Sequence, residues 1–423
     1  MSKNELLIRD IIHPSQLQLA LAVTGGGAGA INELFATPGA SQTALEAIVP
    51  YSEASLIEFL SHAPERFCSE RTARRMAMTA FLRAKKLSQP FDEKTNAPQT
   101  SYVVGVGCTC SLASVRPKRG EHRVHWAVQS FRQTFAASVV LQKGTRSRQE
   151  EERLVTDLLI TTIAAFADKS YQENDAASSG VLSEELQKLL RNDERVQIRG
   201  VWASQIEQEI LFGNRRAYSF MPDDSPQNLD KFFAKNIQAK ENPPQFLFSG
   251  SFDPIHRGHR RMIEILREKF GQDVKIALEI AVKNADKPPM DFIDVQDRRN
   301  GIAQMLSDKT IPVWLTQLPR FVDKAEFFHG VVFLVGADTL VRIGSPRYYS
   351  GGVSARDQAI QRIAEKQCRF LCFARKNDEG VIETADLLEL PETLRRIVVG
   401  VPSNEFCDDI SSTQLRFSKT PPD

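Results

Sequence analysis

Two periodicities divide this chain. In its second half, short apolar runs bounded by glycine, proline or polar turns fall at 246–249, 274–282, 311–315, 331–335, 370–373 and 397–401, and each reads as a buried strand. Between them the spacing becomes helical: Met262, Ile263, Leu266 and Phe270 follow the first run, and 294–306 follows the second. Strands alternating with helices predict a parallel α/β sheet wound in the Rossmann manner, with its site beyond the carboxyl ends of the strands. The first half has its own pattern. Ser69 is a candidate N-cap for a helix with Ala73, Met76, Ala77, Ala80, Phe81, Ala84 and Leu87 on one face. An apolar strand is expected at 102–107, and an alternating one at 123–131 carries Val124, Trp126 and Val128 on one side. A long amphipathic helix is expected at 147–168, through Leu154, Val155, Leu158, Leu159 and Ile163. From 171 to 244 the pattern weakens into a connector, helical in part, with Trp202, Ile206, Ile210 and Leu211 at helical spacing and the pair Pro243-Pro244 at its end. The predicted fold class is therefore α/β in two domains, 1–170 and 245–423.

Candidate chemistry concentrates where the first strand of the second half meets its helix, in the stretch Ser249-Gly250-Ser251-Phe252-Asp253-Pro254-Ile255-His256-Arg257-Gly258-His259. Backbone N–H groups opening a helix are unpaired and carry the positive end of its dipole, so this junction suits a phosphate. His256 and His259 are three apart and lie on one side of the opening turn. Gly258 between them lets a ligand approach the backbone. Near the end, Ser411, Ser412 and Thr413 offer donors at another helix start, with Arg416 a turn later to add a bidentate charge. Asp338, at the end of the 333–338 run, reads either as an acceptor for ribose hydroxyls or as an Asx turn. In the first half, Thr24-Gly25-Gly26-Gly27 is a glycine turn without a GxGxxG or Walker pattern, and Thr109 and Arg146 follow strand-end turns.

GSFDPIHRGH resembles the signature of the HxGH nucleotidylyltransferase superfamily, whose two histidines contact the phosphates of a nucleoside triphosphate. Phe333-Leu-Val-Gly336-Ala337-Asp338, Asp409-Ile410-Ser411-Ser412-Thr413-Gln414-Leu415-Arg416 and the loop Lys283 to Pro289 are similar to stretches of the nicotinamide and nicotinate mononucleotide adenylyltransferases. The resemblance implies a Rossmann-like domain that joins ATP, with Mg²⁺, to a pyridine mononucleotide. It implies His256, His259 and Arg416 as catalytic groups. Ser249, Gly250, Ser251, Phe252, Gly258, Lys287, Gly336, Asp338, Arg375, Ser411, Ser412 and Thr413 are implied as substrate-binding. One departure stands out: the family's tryptophan after the Gly-Ala-Asp turn is replaced by a stretch holding Arg347, Tyr348 and Tyr349. Another HxGH enzyme, using CTP or a different acceptor, and a non-catalytic pyridine nucleotide sensor are the alternatives.

Over residues 1–170 the chain resembles the CinA C-terminal family of nicotinamide mononucleotide deamidases, in TGG, PGAS, Tyr51, SERTARRMA and GTR. The family's serine position is Ala22 here, and its lysine after the tyrosine has no counterpart. An alanine supplies neither nucleophile nor donor. This half is expected to be a degenerate deamidase, with Thr24, Gly25, Gly26, Thr109 and Arg146 as its ligand-binding candidates.

Composition adds limits. The chain has 423 residues, 42% apolar and 25% charged, with net charge +1, so no global charge points to nucleic acid or to an acidic membrane surface. The basic run from Arg116 to Arg123 lacks interleaved aromatics and reads as a solvated or phosphate-facing loop. No apolar run reaches membrane-spanning length. The opening residues include Glu5 and Asp10 and lack a signal-like apolar core, so a cytoplasmic protein is expected. Six cysteines without a paired framework lead to an expectation of free thiols and no bound structural metal. The number of chains in the assembly is left open, a homo-oligomer included.

Overall fold

The computed structural model describes residues 1–88, 102–116, 118–168, 175–213, 215–221, 244–283, 289–306, 310–376, 382–407 and 415. The chain divides into two compact units: Met1–Ala203 with Asp291–Ile293 form the first, and Ser204–Met290 with Asp294–Pro422 form the second.

The first unit is built on a six-stranded sheet of β1 (Leu17–Thr24), β2 (Ala44–Ile48), β3 (Tyr102–Ser111), β4 (His122–Gln129), β5 (Gln133–Leu141) and β6 (Gln197–Trp202), in the order β2-β1-β3-β4-β5-β6. β1 runs parallel to β2 and β3, and the remaining neighbours are antiparallel. Side chains alternate across a strand, and β3 uses the two faces differently. Val104, Val106 and Cys108 enter a core with Trp126, Phe135, Leu158 and Phe166. Gly105 and Gly107 face the Glu70–Leu87 helix; a Cβ at Gly105 would stand 2.0 Å from the Phe81 nitrogen, and one at Gly107 2.3 Å from the Ala73 carbonyl oxygen. The helix backbone therefore rests directly on the strand. Both long helices begin where their caps dictate. Ser69 accepts from the Thr72 N–H at 3.2 Å, and Ser147 forms a reciprocal box with Glu150 ahead of the Arg148–Ala167 helix.

The second unit holds β7 (Ala217–Phe220), β8 (Phe246–Ser249), β9 (Ile276–Ala281), β10 (Val313–Thr316), β11 (Val332–Gly336), β12 (Arg369–Phe373), a small ribbon of β13 (Arg375–Lys376) with β14 (Ile382–Glu383), and β15 (Val398–Val401). The main sheet has the order β15-β12-β11-β8-β9-β10-β7; its strands are parallel apart from β7, which is antiparallel to β10. Counting the six parallel strands along the chain from β8, their spatial order is 6-5-4-1-2-3, the doubly wound arrangement. The winding reverses between β8 and β11, which lie side by side, and the crevice that ligands favour in such sheets opens at the carboxyl ends of these two strands.

The stretch 171–244, expected as a connector, contributes strand to each sheet: β6 to the first and β7 to the second. Trp202 closes β6 and does not belong to the helical stripe expected at 201–212. The helix there is Gln205–Phe212, begun by a capping box of Ser204 and Glu207.

Candidate functional site

The backbone after β8 is shaped residue by residue. Gly250 leaves the strand by donating its N–H to the Glu279 carbonyl of β9 at 3.0 Å, and a Cβ on it would meet the Phe252 ring at 2.8 Å. Phe252 then adopts φ 45°, a left-handed conformation strained for an aromatic residue. Its ring is buried, edge-on to Phe248 at 5.3 Å and to His259 at 5.2 Å between centroids. Asp253 and Pro254 share a cis peptide bond. His256, in extended backbone, is the N-cap of the Arg257–Phe270 helix, and Gly258 is buried in its first turn.

The two histidines meet. Their ring centroids lie 3.7 Å apart with planes tilted by 32°. The backbone N–H of His256 donates to Nδ1 of His259 at 3.1 Å. A neutral imidazole whose Nδ1 accepts carries its proton on Nε2, so His259 is set up as an Nε2–H donor. Burial, and then the neighbouring His256, lower its pKa from the ordinary 6.5 to about 3. It is therefore neutral across physiological pH, a fixed dipole rather than a charge.

Arg298, on the Phe292–Met305 helix, closes the turn from the side. Its guanidinium is 6% exposed and meets the Asp253 carboxylate at 3.1 Å, while Nε donates to the Ser251 carbonyl at 2.8 Å. Ser251 itself is exposed. Ser249 ends β8 half-buried, and its Oγ has no hydrogen-bond partner among the described residues.

At the neighbouring strand end, Gly336 is the N-cap of the Ala337–Gly344 helix, and Asp338 folds back over it. Its Oδ1 lies 2.8 Å from where a Cβ on Gly336 would stand. Its Oδ2 meets Arg375 Nη1 at 3.2 Å. Gly336, Asp338 and Arg375 thus form one cluster at the end of β11, beside the β8 turn in the sheet order. Past the Ala337–Gly344 helix, the Arg347 guanidinium covers the Tyr348 ring at 4.6 Å, and the Tyr349 hydroxyl donates to the Ile343 carbonyl at 3.0 Å. Lys287, Ser411, Ser412, Thr413 and Arg416 lie outside the described residues.

In the first unit, Thr24 ends β1 and stands opposite Thr109, which lies two residues before the end of β3. Both are buried, and the Thr109 hydroxyl donates to the Phe67 carbonyl at 2.9 Å. Gly25 has φ 73°, and its Cα faces the Cys110 carbonyl so closely that a Cβ would sit 2.0 Å from that oxygen. Gly26 packs against Leu112 and Cys110. At the N-terminus of the Ala28–Ala36 helix, the Glu152 carboxylate accepts from the Gly29 N–H at 3.2 Å, and Arg148 donates to the Gly25 carbonyl at 2.9 Å. Arg146 is engaged by both carboxylate oxygens of the buried Glu194, at 2.6 and 2.8 Å. Burial opposes the charge on Glu194, but the bonds from Arg146 and from the Gln142 and Arg191 N–H groups outweigh it and bring its pKa to about 2. The residues named for ligand binding here are thus bonded largely to the protein's own groups.

Among the described residues, no His/Cys/Asp/Glu group of three has metal-binding geometry, and no helix is long and apolar enough to cross a membrane.

Residues 247–417 match the family model described as Cytidylyltransferase-like. Among solved structures, the N-terminal region matches proteins of the CinA superfamily. The competence/damage inducible protein CihA from Agrobacterium tumefaciens is 19% identical, with TM-score 0.28, covering 40% of this chain and 93% of its own. The CinA superfamily protein ECK1530/EC0983 from Escherichia coli is 16% identical, with TM-score 0.26 and coverages of 45% and 94%. The competence damage-inducible protein A from Klebsiella pneumoniae is 14% identical, with TM-score 0.29 and coverages of 41% and 100%. No curated protein sequence matches the chain significantly. With the strand–turn–helix of His256 and His259 at the switch point of a doubly wound sheet, residues 247–417 constitute a cytidylyltransferase-like nucleotidyltransferase domain.

Proposed function

We propose that this domain is an adenylyltransferase that joins MgATP to a pyridine mononucleotide, nicotinamide or nicotinate, releasing pyrophosphate. The observation that supports it most is the close His256–His259 pair at the helix start after β8, next in the sheet to the Gly336–Asp338 turn after β11. A phosphate oxygen of the mononucleotide attacks the α-phosphorus of ATP; the new P–O bond forms as the bond to the β,γ-diphosphate breaks, and the diphosphate leaves with the electron pair. No covalent enzyme intermediate is required. The protein's task is to align two anions and to stabilise charge as it shifts onto the leaving group.

In this reading His259 donates from Nε2–H to a phosphate oxygen, and His256 lies beside it. The N–H groups of the helix start add donors without adding charge. Asp338 serves ribose hydroxyls, with Arg375 holding its carboxylate. Arg416, with Ser411, Ser412 and Thr413, supplies the remaining phosphate donors. Mg²⁺ enters as part of the substrate: Asp253 already faces Arg298, and a magnesium ion with few protein carboxylates is held by the phosphates.

For the first unit we propose a structural role. The helix start at Gly29 is capped by Glu152 and Arg146 is held by Glu194, positions a bound phosphate would need for itself.

The deciding assay is pyrophosphate release from MgATP with nicotinamide mononucleotide and nicotinate mononucleotide in parallel, with CTP and phosphopantetheine as controls. Turnover with a pyridine nucleotide is expected, together with its loss in His259→Ala. Turnover only with CTP or phosphopantetheine would replace the acceptor assignment. ATP binding without pyrophosphate from any acceptor would indicate a sensor.

A further inference from the structure

We propose that Arg298 is the positioning residue of this site, holding the β8 turn in the shape that aims His259; the inference rests on the nucleotidyltransferase reading above. The turn needs an external clamp. Phe252 at φ 45° lies in a conformation that an aromatic residue keeps only where its surroundings over-determine it. Arg298 grips the chain on both sides of that residue: Nε donates to the carbonyl of Ser251 at 2.8 Å, and Nη2 meets the Asp253 carboxylate at 3.1 Å. The third arm is anchored on its own helix, where Nη1 donates to the Asp294 carbonyl at 2.8 Å and lies 3.6 Å from that residue's carboxylate.

The consequence passes along bonded and packed groups. With Ser251 and Asp253 fixed, the Phe252 ring stays edge-on to His259 at 5.2 Å. The imidazole is then kept where the His256 N–H reaches Nδ1 at 3.1 Å, which leaves the proton on Nε2. Arg298 itself is buried and turned toward the loop, so its effect on the phosphates is exerted through the loop. A lysine cannot replace it, because one ammonium lacks the planar fork that spans a carbonyl and a carboxylate at once.

The test compares Arg298→Gln and Arg298→Lys with the wild-type full chain, reading pyrophosphate release and the ¹⁵N resonances of the histidine rings. Misplacing a reacting group by about 1 Å costs on the order of 10²-fold in turnover, so kcat of Arg298→Gln is expected to fall by that order. KM for ATP should move less than about threefold, because the phosphate donors of the helix start remain. Arg298→Lys should recover no more than about a tenth of the wild-type rate. In both variants the His259 ring should lose its single Nε2–H form. Wild-type kcat in Arg298→Gln, or a loss of melting temperature with an unchanged His259 spectrum, would overturn the proposal. If Arg298→Gln does not fold, Arg298→Lys and Asp253→Asn, which remove the fork and its carboxylate anchor respectively, decide by the same spectrum. If the wild-type chain releases no pyrophosphate with any acceptor, the nucleotidyltransferase reading fails, while the His259 spectrum still reports whether Arg298 aims the ring.

Discussion

At the scale of single residues, the same interaction types have opposite uses in the two units. His259 is kept neutral by burial and by His256, with its pKa lowered to about 3, and its Nδ1 is filled from the backbone. Its ¹⁵N signals should therefore report one neutral tautomer with no titration between pH 5 and 8, and the pH profile of kcat should show no inflection from it in that range. A ring titrating near 6.5 would remove the neutral-donor role. The sign for stability follows from the same shift. The unfolded chain takes up a proton at about pH 6.5 that the folded chain refuses until about pH 3, so acidification through this window favours unfolding. His125, lowered to about 4 by burial and then by Arg123, acts in the same direction. Glu194 illustrates the other use. Its carboxylate is stabilised in its charged form down to about pH 2, so its contribution is present above its unfolded pKa of about 4.5 and is lost as the pH falls toward 2. Arg146→Met strands that carboxylate in a buried place and should cost roughly 3–5 kcal/mol in urea unfolding. A change below about 1 kcal/mol would reopen Arg146 as a ligand-facing group.

At the scale of elements, glycine decides how closely layers approach. Gly105 and Gly107 let the Glu70–Leu87 helix lie on β3 with no side chain between the two backbones. Gly105→Ala has no space to fill, so it should destabilise by roughly 1–3 kcal/mol or more, and thermal unfolding should show it. Gly144→Ala is the comparison: its position has open space around it, so only its φ of 72° is penalised. The elements that the sequence made legible are those whose pattern is local. The doubly wound sheet was readable because its strands are short apolar runs separated by helical periods, and Ser69 and Ser147 mark their helices by capping alone. β5 was obscured because Ala136, Ala137 and Ser138 flatten its alternation, and β6, with Gln197, Arg199 and Gly200 in an edge strand, has little apolar signal. At the site, the motif residues lie together because they are close in sequence, as His256 and His259 are. Asp338 and Arg375 share an ion pair that only the adjacency of β11 and β12 creates. Arg298 was invisible for the same reason: in sequence it is a polar residue inside a helix, and only the fold brings it to the turn after β8.

At the scale of the whole molecule, each unit has its own sheet and its own apolar core, so ligand and mutation should act on them separately. A chain of two such units is not expected to unfold as one two-state body. A ligand that binds only the folded state stabilises by RT ln(1 + [L]/Kd), about 2.7 kcal/mol at one hundred times Kd, which for a unit of roughly 200 residues corresponds to roughly 5–10 °C. MgATP, assigned to the second unit, should raise one calorimetric transition by that order and leave the other in place. Arg146→Met, in the first unit, should lower the transition that MgATP does not move. The two perturbations thus label the two transitions independently of any activity assay. If MgATP instead shifts the transition that Arg146→Met lowers, nucleotide binds the first unit, and the capped glycine turn at Gly25 to Gly29 must open to receive it. If both perturbations move a single transition, the two cores melt together, and nucleotide bound to one unit stabilises both.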